Sequence, residues 1–235
     1  MTDAPPTDPP GPPPDRPRVD LRPHFTPLFE ATGPLDWAAV FPESPDAPVE
    51  LDVGAGRGAF TRGAAACVPG VNFAGVEIDF TAARRGAKGL KRDGVPNGRL
   101  FGGDARRFLG EFVPAGSVAA VHVLYPDPWW KRRHRKRRLL DRPFLDQVAT
   151  ALTPGGRLHV RTDVGEYFQQ ASALLAGHAA FMLTDLPEDP TAAAILAARG
   201  PGPLTNYERK ATVRPDRPDF QTDGVTHKAV WECRG

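Results

Sequence analysis

Cysteine is nearly missing from this chain: 235 residues hold only Cys67 and Cys233, with no Cys-x-x-Cys spacing. That excludes a disulfide framework and a zinc knuckle and fits a reducing, cytoplasmic compartment. The six histidines show no ligand spacing, so no metal is expected. No uninterrupted apolar stretch reaches the roughly 18 residues needed to cross a membrane. The opening segment also lacks the basic start and apolar middle of a signal peptide. The expectation is a soluble protein that is not exported, with no membrane contact and no obligatory protein partner in view. A strong overall charge is lacking too, since the net is only +2.

What is present is a globular composition, 40% apolar and 25% charged, in a length suited to one domain with a sizeable core. The first eighteen residues hold eight prolines and no apolar run. They can bury little surface, so residues 1–20 are set aside as a disordered tail and residues 21–235 as a single domain. Charge is distributed unevenly. Residues 131–138, KRRHRKRR, carry seven Lys or Arg, which leaves −5 for the rest of the chain. A mildly acidic body with one dense cationic segment suits a protein that meets a polyanion at one place.

From Pro48 the chain repeats one theme: an apolar run, an acid, then helical sequence. PVELDVGAG, VNFAGVEID, GRLFGGDA, SVAAVHVLYPD and GGRLHVRTD supply the runs, and TAARRGAKGLKRDG reads as a helix closed by Gly94. This βα alternation predicts an α/β, Rossmann-like, mostly parallel sheet with helices on both faces. Residues 185–204 read as a long loop with a short helix near Ala192–Ala198, and THKAVWECR as a last strand. Ligands of such sheets sit beyond the carboxyl ends of the strands, where Asp52, Glu77, Asp79, Asp104, Asp127 and Asp163 fall.

LDVGAGRG places Gly54, Gly56 and Gly58 directly after a strand, where backbone must turn tightly and approach a ligand closely. The spacing is GxGxG, whereas dinucleotide enzymes place the third glycine one residue later. Asp52 would repel a diphosphate but suits a cationic sulfonium and ammonium, which favours S-adenosylmethionine. Glu77 is placed to receive ribose hydroxyls and Asp104 to accept from an adenine amino group. Asp79 has a simpler use as the N-cap of the helix that follows.

The stretch YPDPWWKRRHRKRRLL, residues 125–140, puts a carboxylate between two prolines, then aromatics, then the cationic run, directly after an apolar strand. It resembles the signature of the bacterial tRNA (guanine-N7)-methyltransferases, and GGRLHVRTD and TNYERK resemble two further blocks of that family in the same order. The resemblance implies a class I methyltransferase fold with a seven-stranded sheet, S-adenosylmethionine as cofactor and tRNA as partner, the usual target being the guanine at position 46 of the variable loop. It assigns Asp52, Glu77, Asp104 and Asp127 to the cofactor, with Asp127 also catalytic. Lys131, Asp163, Thr205, Asn206, Tyr207 and Glu208 go to the substrate, and Arg133, His134, Arg135, Lys136, Arg137 and Arg138 to RNA. Trp130 departs from the family pattern, as does the proline-rich entry. Trp129 and Trp130 are open to two readings, base stacking or packing. Competing functions are an amino-methyltransferase on another base, a non-catalytic RNA-binding module on the same fold, and a small-molecule methyltransferase.

Overall fold

The computed structural model describes residues 19–186, 189–199, 204–205, 207–209 and 225–234. The tail before Val19 and Asn206 lie outside the described residues. The strands are β1 (Phe25–Pro27), β2 (Val49–Val53), β3 (Asn72–Glu77), β4 (Gly98–Gly102), β5 (Val118–Leu124), β6 (Leu152–Thr162), β7 (Phe181–Leu183) and β8 (His227–Cys233). The α-helices are α1 (Trp37–Val40), α2 (Ala59–Cys67), α3 (Phe80–Asp93), α4 (Ala105–Arg107), α5 (Arg142–Ala151), α6 (Gly165–Ala176) and α7 (Pro190–Arg199).

The strands form one sheet in the order β1-β4-β3-β2-β5-β6-β8-β7, parallel except for β8, which runs against both neighbours. This is eight strands where seven were expected. The extra one, β1, has only three residues, too few to show an alternation in sequence, and it pairs with the outer edge of β4. From β2 the chain steps outward through β3 and β4 on one side and through β5 and β6 on the other. The switch point therefore lies between the carboxyl ends of β2 and β5, where doubly wound sheets take their ligands.

Alternation along the buried strands sends their side chains to two cores. Leu51, Val53, Val121, Val123, Leu158 and Val160 pack with Phe144, Val148, Tyr167 and Leu175 of α5 and α6. On the opposite face Phe73 and Leu100 pack with Phe60 of α2, with Ala83, Ala87 and Leu90 of α3, and with Ala192 and Ile195 of α7. Local signals end the elements as the sequence suggests. Asp79 caps α3, its Oδ1 accepting from the Thr81 and Ala82 amides, and Gly94 closes the helix at φ 63°. Gly86 lets α3 approach the glycine loop, because a Cβ there would stand 2.9 Å from the Arg57 carbonyl oxygen.

Candidate active site

The loop after β2 is left-handed at all three glycines, with φ of 80°, 56° and 64° at Gly54, Gly56 and Gly58. Side chains rarely adopt this backbone, so glycine is required. Two of the three face the site: a Cβ on Gly54 or Gly56 would project into open space within the groove lining. Gly58 is instead buried, where a Cβ would come within 3.1 Å of Leu100. It is the N-cap of α2 and packs there. Glu77 ties the loop down, accepting from the Gly56 amide and from the Asp79 amide, both at 2.8 Å. Asp52 is 3% exposed and accepts from the Thr61 hydroxyl at 2.6 Å. Burial pushes its carboxyl above the usual range, so a cation in the loop would favour its ionised form.

A groove of two lobes runs over the switch point. One, of about 450 Å³, is walled by Asp52, Gly54, Gly56, Glu77, Tyr125, Asp127, Thr205 and Tyr207, among others. The other, of about 350 Å³, shares Gly54, Glu77, Tyr125 and Asp127 and adds Ile78, Asp104, Trp129 and Arg137. These are volumes of the order that small-molecule sites occupy. The fold thus brings Asp127, from the end of β5, to the same wall as the glycine loop from β2. Asp104 at the end of β4 also caps α4, its Oδ1 accepting from the Arg106 and Arg107 amides.

Tyr125 is the residue that sequence reading passed over. Its φ is 51°, and that of Trp129 is 45°. Bulky side chains there cost about 1–3 kcal/mol each and cluster at functional sites. The Tyr125 hydroxyl donates to Glu208 Oε1 at 2.7 Å, and its ring stacks on Tyr207 with centroids 5.0 Å apart. Glu208 Oε2 accepts from the Leu204 and Thr205 amides, and the Tyr207 hydroxyl donates to Asp163 Oδ2 at 2.8 Å. Burial, with a carboxylate beside each, pushes both phenols well up, so they act as donors. Glu208 is engaged inside the protein in this way, which makes it an organiser of the segment.

The basic segment divides in two. Lys131, Arg133, Arg135, Lys136 and Arg137 are exposed and His134 half-buried. Arg137 lies over the Trp129 ring, 4.9 Å from its centroid. Arg138 does not present its charge outward as expected: its side chain is 1% exposed. Its guanidinium donates to the Pro128 carbonyl at 2.8 Å, pairs with Glu166 at 3.1 Å, bonds Gln170 and covers the Tyr167 ring. Trp130 packs partly buried against the main core, so it serves packing, while Trp129 lines the groove.

Behind the groove, His122 of β5 sits between Glu50 Oε2 at 2.8 Å and Asp189 Oδ2 at 2.7 Å. Burial alone would lower its pKa, but the two carboxylates outweigh it and raise it to about 10. His159 of β6, the register partner of His122, stacks on it at 4.7 Å and 9°. His122, His159 and Asp189 lie close enough to share an ion. Both His122 ring nitrogens face carboxylates and its raised pKa keeps both protonated, so they donate and leave no lone pair for a metal. The group is a hydrogen-bonded ion cluster.

The sheet order, the glycine loop and the acids at successive strand ends define the class: an S-adenosylmethionine-dependent methyltransferase of the class I fold. Residues 46–217 match the family described as "Putative methyltransferase". The chain is 37% identical over 155 residues to a tRNA (guanine-N(7)-)-methyltransferase of Geobacter metallireducens, covering 66% of this chain and 72% of that protein. It is 36% identical over 195 residues to one of Burkholderia vietnamiensis, covering 81% and 71%. The match to one of Polaromonas covers 68% of this chain and 64% of that protein, at 36% identity. The chain belongs to this methyltransferase family. Among solved structures, the 16S rRNA methyltransferase KamB shares the fold with a TM-score of 0.55 at 20% identity, over 83% of this chain and 93% of that one. TrmN from Thermus thermophilus does so at 0.51 and 18%, over 83% and 47%.

Proposed function

We propose that this protein transfers a methyl group from S-adenosylmethionine to N7 of guanine in tRNA, at the variable-loop position, in the cytoplasm, with residues 21–235 acting as one domain. One observation carries the reading: Asp127 stands in the wall of the cofactor groove while Arg137, from the basic segment, lines the same groove. The names of the curated relatives support the base and the atom.

The residues present fit the cofactor. Asp52 supplies a buried carboxylate for a cationic head, Gly54 and Gly56 leave room for close approach, and Glu77 and Asp104 offer acceptors for hydroxyl and amino groups. When bound, S-adenosylmethionine supplies an electrophilic methyl on a sulfonium. N7 of guanine has an in-plane lone pair and no proton, so the protein needs no general base there. Its contribution is alignment and electrostatics, and alignment alone removes several kcal/mol of barrier, about 7 or more in well-oriented systems. Positive charge develops on the purine during transfer, and Asp127 is placed to favour it. Tyr125 and Tyr207 form the wall against which the base is held, Asp163 orients Tyr207 through its hydroxyl and is within reach of the base, and Thr205 and Lys131 are further substrate contacts. The exposed cations Arg133 to Arg137 take phosphates.

The test is incubation with labelled cofactor and unmodified tRNA transcripts, with and without the variable-loop guanine, followed by strand scission selective for N7-methylguanine. Label incorporated equally into both transcripts would reject the position, and label on an exocyclic amine would reject the reaction.

A further inference from the structure

Positive charge is concentrated on a second element besides residues 131–138. α3 carries Arg84, Arg85, Lys88, Lys91 and Arg92 against one acid, Asp93. With both elements set aside, the rest of the chain has a net charge of −9. Several of these cations serve the fold. Lys91 donates to the Asp20 carbonyl at 2.7 Å, Arg92 pairs with Asp93 at 2.8 Å, and Arg84 lies over the Phe25 ring. Arg85 and Lys88 are exposed and make no ion pair among the described residues. Three positions apart on a helix, they present their charges from one face, about 5–6 Å apart at Cβ.

The start of α3 carries aromatics, between one and just over two turns before these charges. The rings of Phe29 and Phe80 stack with centroids 5.8 Å apart and planes at 16°. Phe29 is 71% exposed and Phe80 36%. Core packing does not require an outward-facing phenylalanine there. Aromatic faces next to unpaired cations are what single-stranded or looped RNA binds, by base stacking and phosphate contact. The location also fits, because Asp79 and Ala82 at the start of α3 line the first lobe of the groove while Arg137 lines the second. Cations therefore flank the cofactor groove on two sides.

We propose that the outer face of α3, with Arg85, Lys88 and the Phe29–Phe80 pair, is a second RNA-contact surface that binds the substrate at a distance from the methylated base. This rests on the reading of the protein as a tRNA methyltransferase and adds a contact to the folded tRNA outside the groove. A rise of 1.5 Å per residue sets Lys88 about 14 Å along the helix from Asp79 at the groove. A fragment of one or two nucleotides around the target guanine does not span that distance, at roughly 3.4 Å or more per nucleotide, and a whole tRNA does.

The experiment compares wild type with Arg85→Glu/Lys88→Glu and with Phe29→Ala, on whole tRNA and on the shortest RNA fragment the wild type methylates. With whole tRNA the charge-reversed variant should show KM raised about tenfold and the salt slope of binding reduced by about two. Phe29→Ala should raise KM severalfold. Affinity for S-adenosylhomocysteine and KM for the fragment should stay at wild-type values. Unchanged KM and slope on whole tRNA overturn the proposal, as does an equal loss on tRNA and fragment. If Arg85→Glu/Lys88→Glu does not fold, Arg85→Gln/Lys88→Gln replaces it with half the expected effect. A wild type that neither binds nor methylates tRNA rejects the underlying function instead, and is distinguished by that control alone.

Discussion

Tyr125 and Glu208, 83 residues apart, are joined by a hydrogen bond of 2.7 Å across the mouth of the cofactor groove. The bond fastens the segment Thr205–Arg209 to the end of β5, two residues before Asp127. A hydrogen bond to a charged acceptor contributes about 1.5–3 kcal/mol. Tyr125→Phe keeps the ring stacked on Tyr207 and removes that bond together with a longer one, at 3.4 Å, to the Thr226 hydroxyl. Its kcat/KM for tRNA should fall about tenfold to a hundredfold, with S-adenosylhomocysteine affinity within about twofold of wild type. Calorimetric titration and single-turnover kinetics measure the two quantities; a fall in cofactor affinity matching the fall in rate would place Tyr125 in cofactor binding instead.

Asp127 is exposed and makes no hydrogen bond among the described residues, so none of the described contacts depends on its carboxylate. Asp127→Ala should leave the thermal midpoint unchanged and lower kcat by about 10²–10³, the usual cost of removing a preorganised electrostatic group. Asp127→Asn, which keeps the shape without the charge, should lose nearly as much. A fully active Asn variant would show that position matters there and charge does not.

The acids at strand ends that line the groove were legible in the sequence because strand, turn and acid are adjacent along the chain. The buried run of β2 leads into Asp52 and its glycine loop, and β5 leads into Asp127, so local pattern sufficed. What was hidden depends on distant pairing. Residues 25–27 give no period of their own and become a strand only against β4. Arg138 looks like its neighbours in a basic run, yet the packing of α6 turns it inward onto Glu166 and Tyr167. His122 and His159 are 37 residues apart with no ligand-like spacing, but they are register partners on adjacent parallel strands and so share one face. Tyr125 was inside the recognised motif, and only its backbone angle and its partner 83 residues on reveal its part.

The buried cluster around His122 predicts how stability depends on pH. His122 is raised from 6.5 to about 10 by Asp189 and Glu50 against its own burial. Its contribution is therefore full below about 6.5 and is lost as pH rises through about 10. His159 is lowered from 6.5 to about 4 by burial and by the neighbouring His122 charge, with Arg157 adding to it and Asp189 and Glu50 opposing. Its contribution is full above 6.5 and is lost as pH falls through about 4. Glu50 and Asp189 are buried, which alone would raise them, but His122 holds both below their ordinary values, so they too cease to stabilise in acid. Urea midpoints should peak near pH 6.5, where both histidine contributions are full, and decline on both sides. His122→Asn should be less stable at neutral pH and lose the alkaline decline between pH 8 and 10; a variant curve parallel to wild type would remove His122 from the account.

Arg137 and Arg138 are adjacent in sequence and should respond to mutation in opposite ways. Arg138 is enclosed by the Pro128 carbonyl, Glu166, Gln170 and the Tyr167 ring. Glu166 is half exposed, so the ion pair is partly screened, but the guanidinium also closes the loop after Asp127. Breaking a buried charged group of this kind costs about 3–5 kcal/mol, less some screening on the Glu166 side. Arg138→Ala should lower the thermal midpoint by several degrees and reduce RNA binding only in proportion to the folded fraction. Arg137 is exposed over Trp129 at the rim of the groove, so Arg137→Ala should leave the midpoint unchanged, weaken tRNA binding and reduce its salt slope by about one. Differential scanning calorimetry with filter binding at two ionic strengths separates them. If Arg138→Ala melts like wild type and loses RNA affinity as Arg137→Ala does, then Arg138 opens toward RNA in the working enzyme and the enclosure is not what holds the loop.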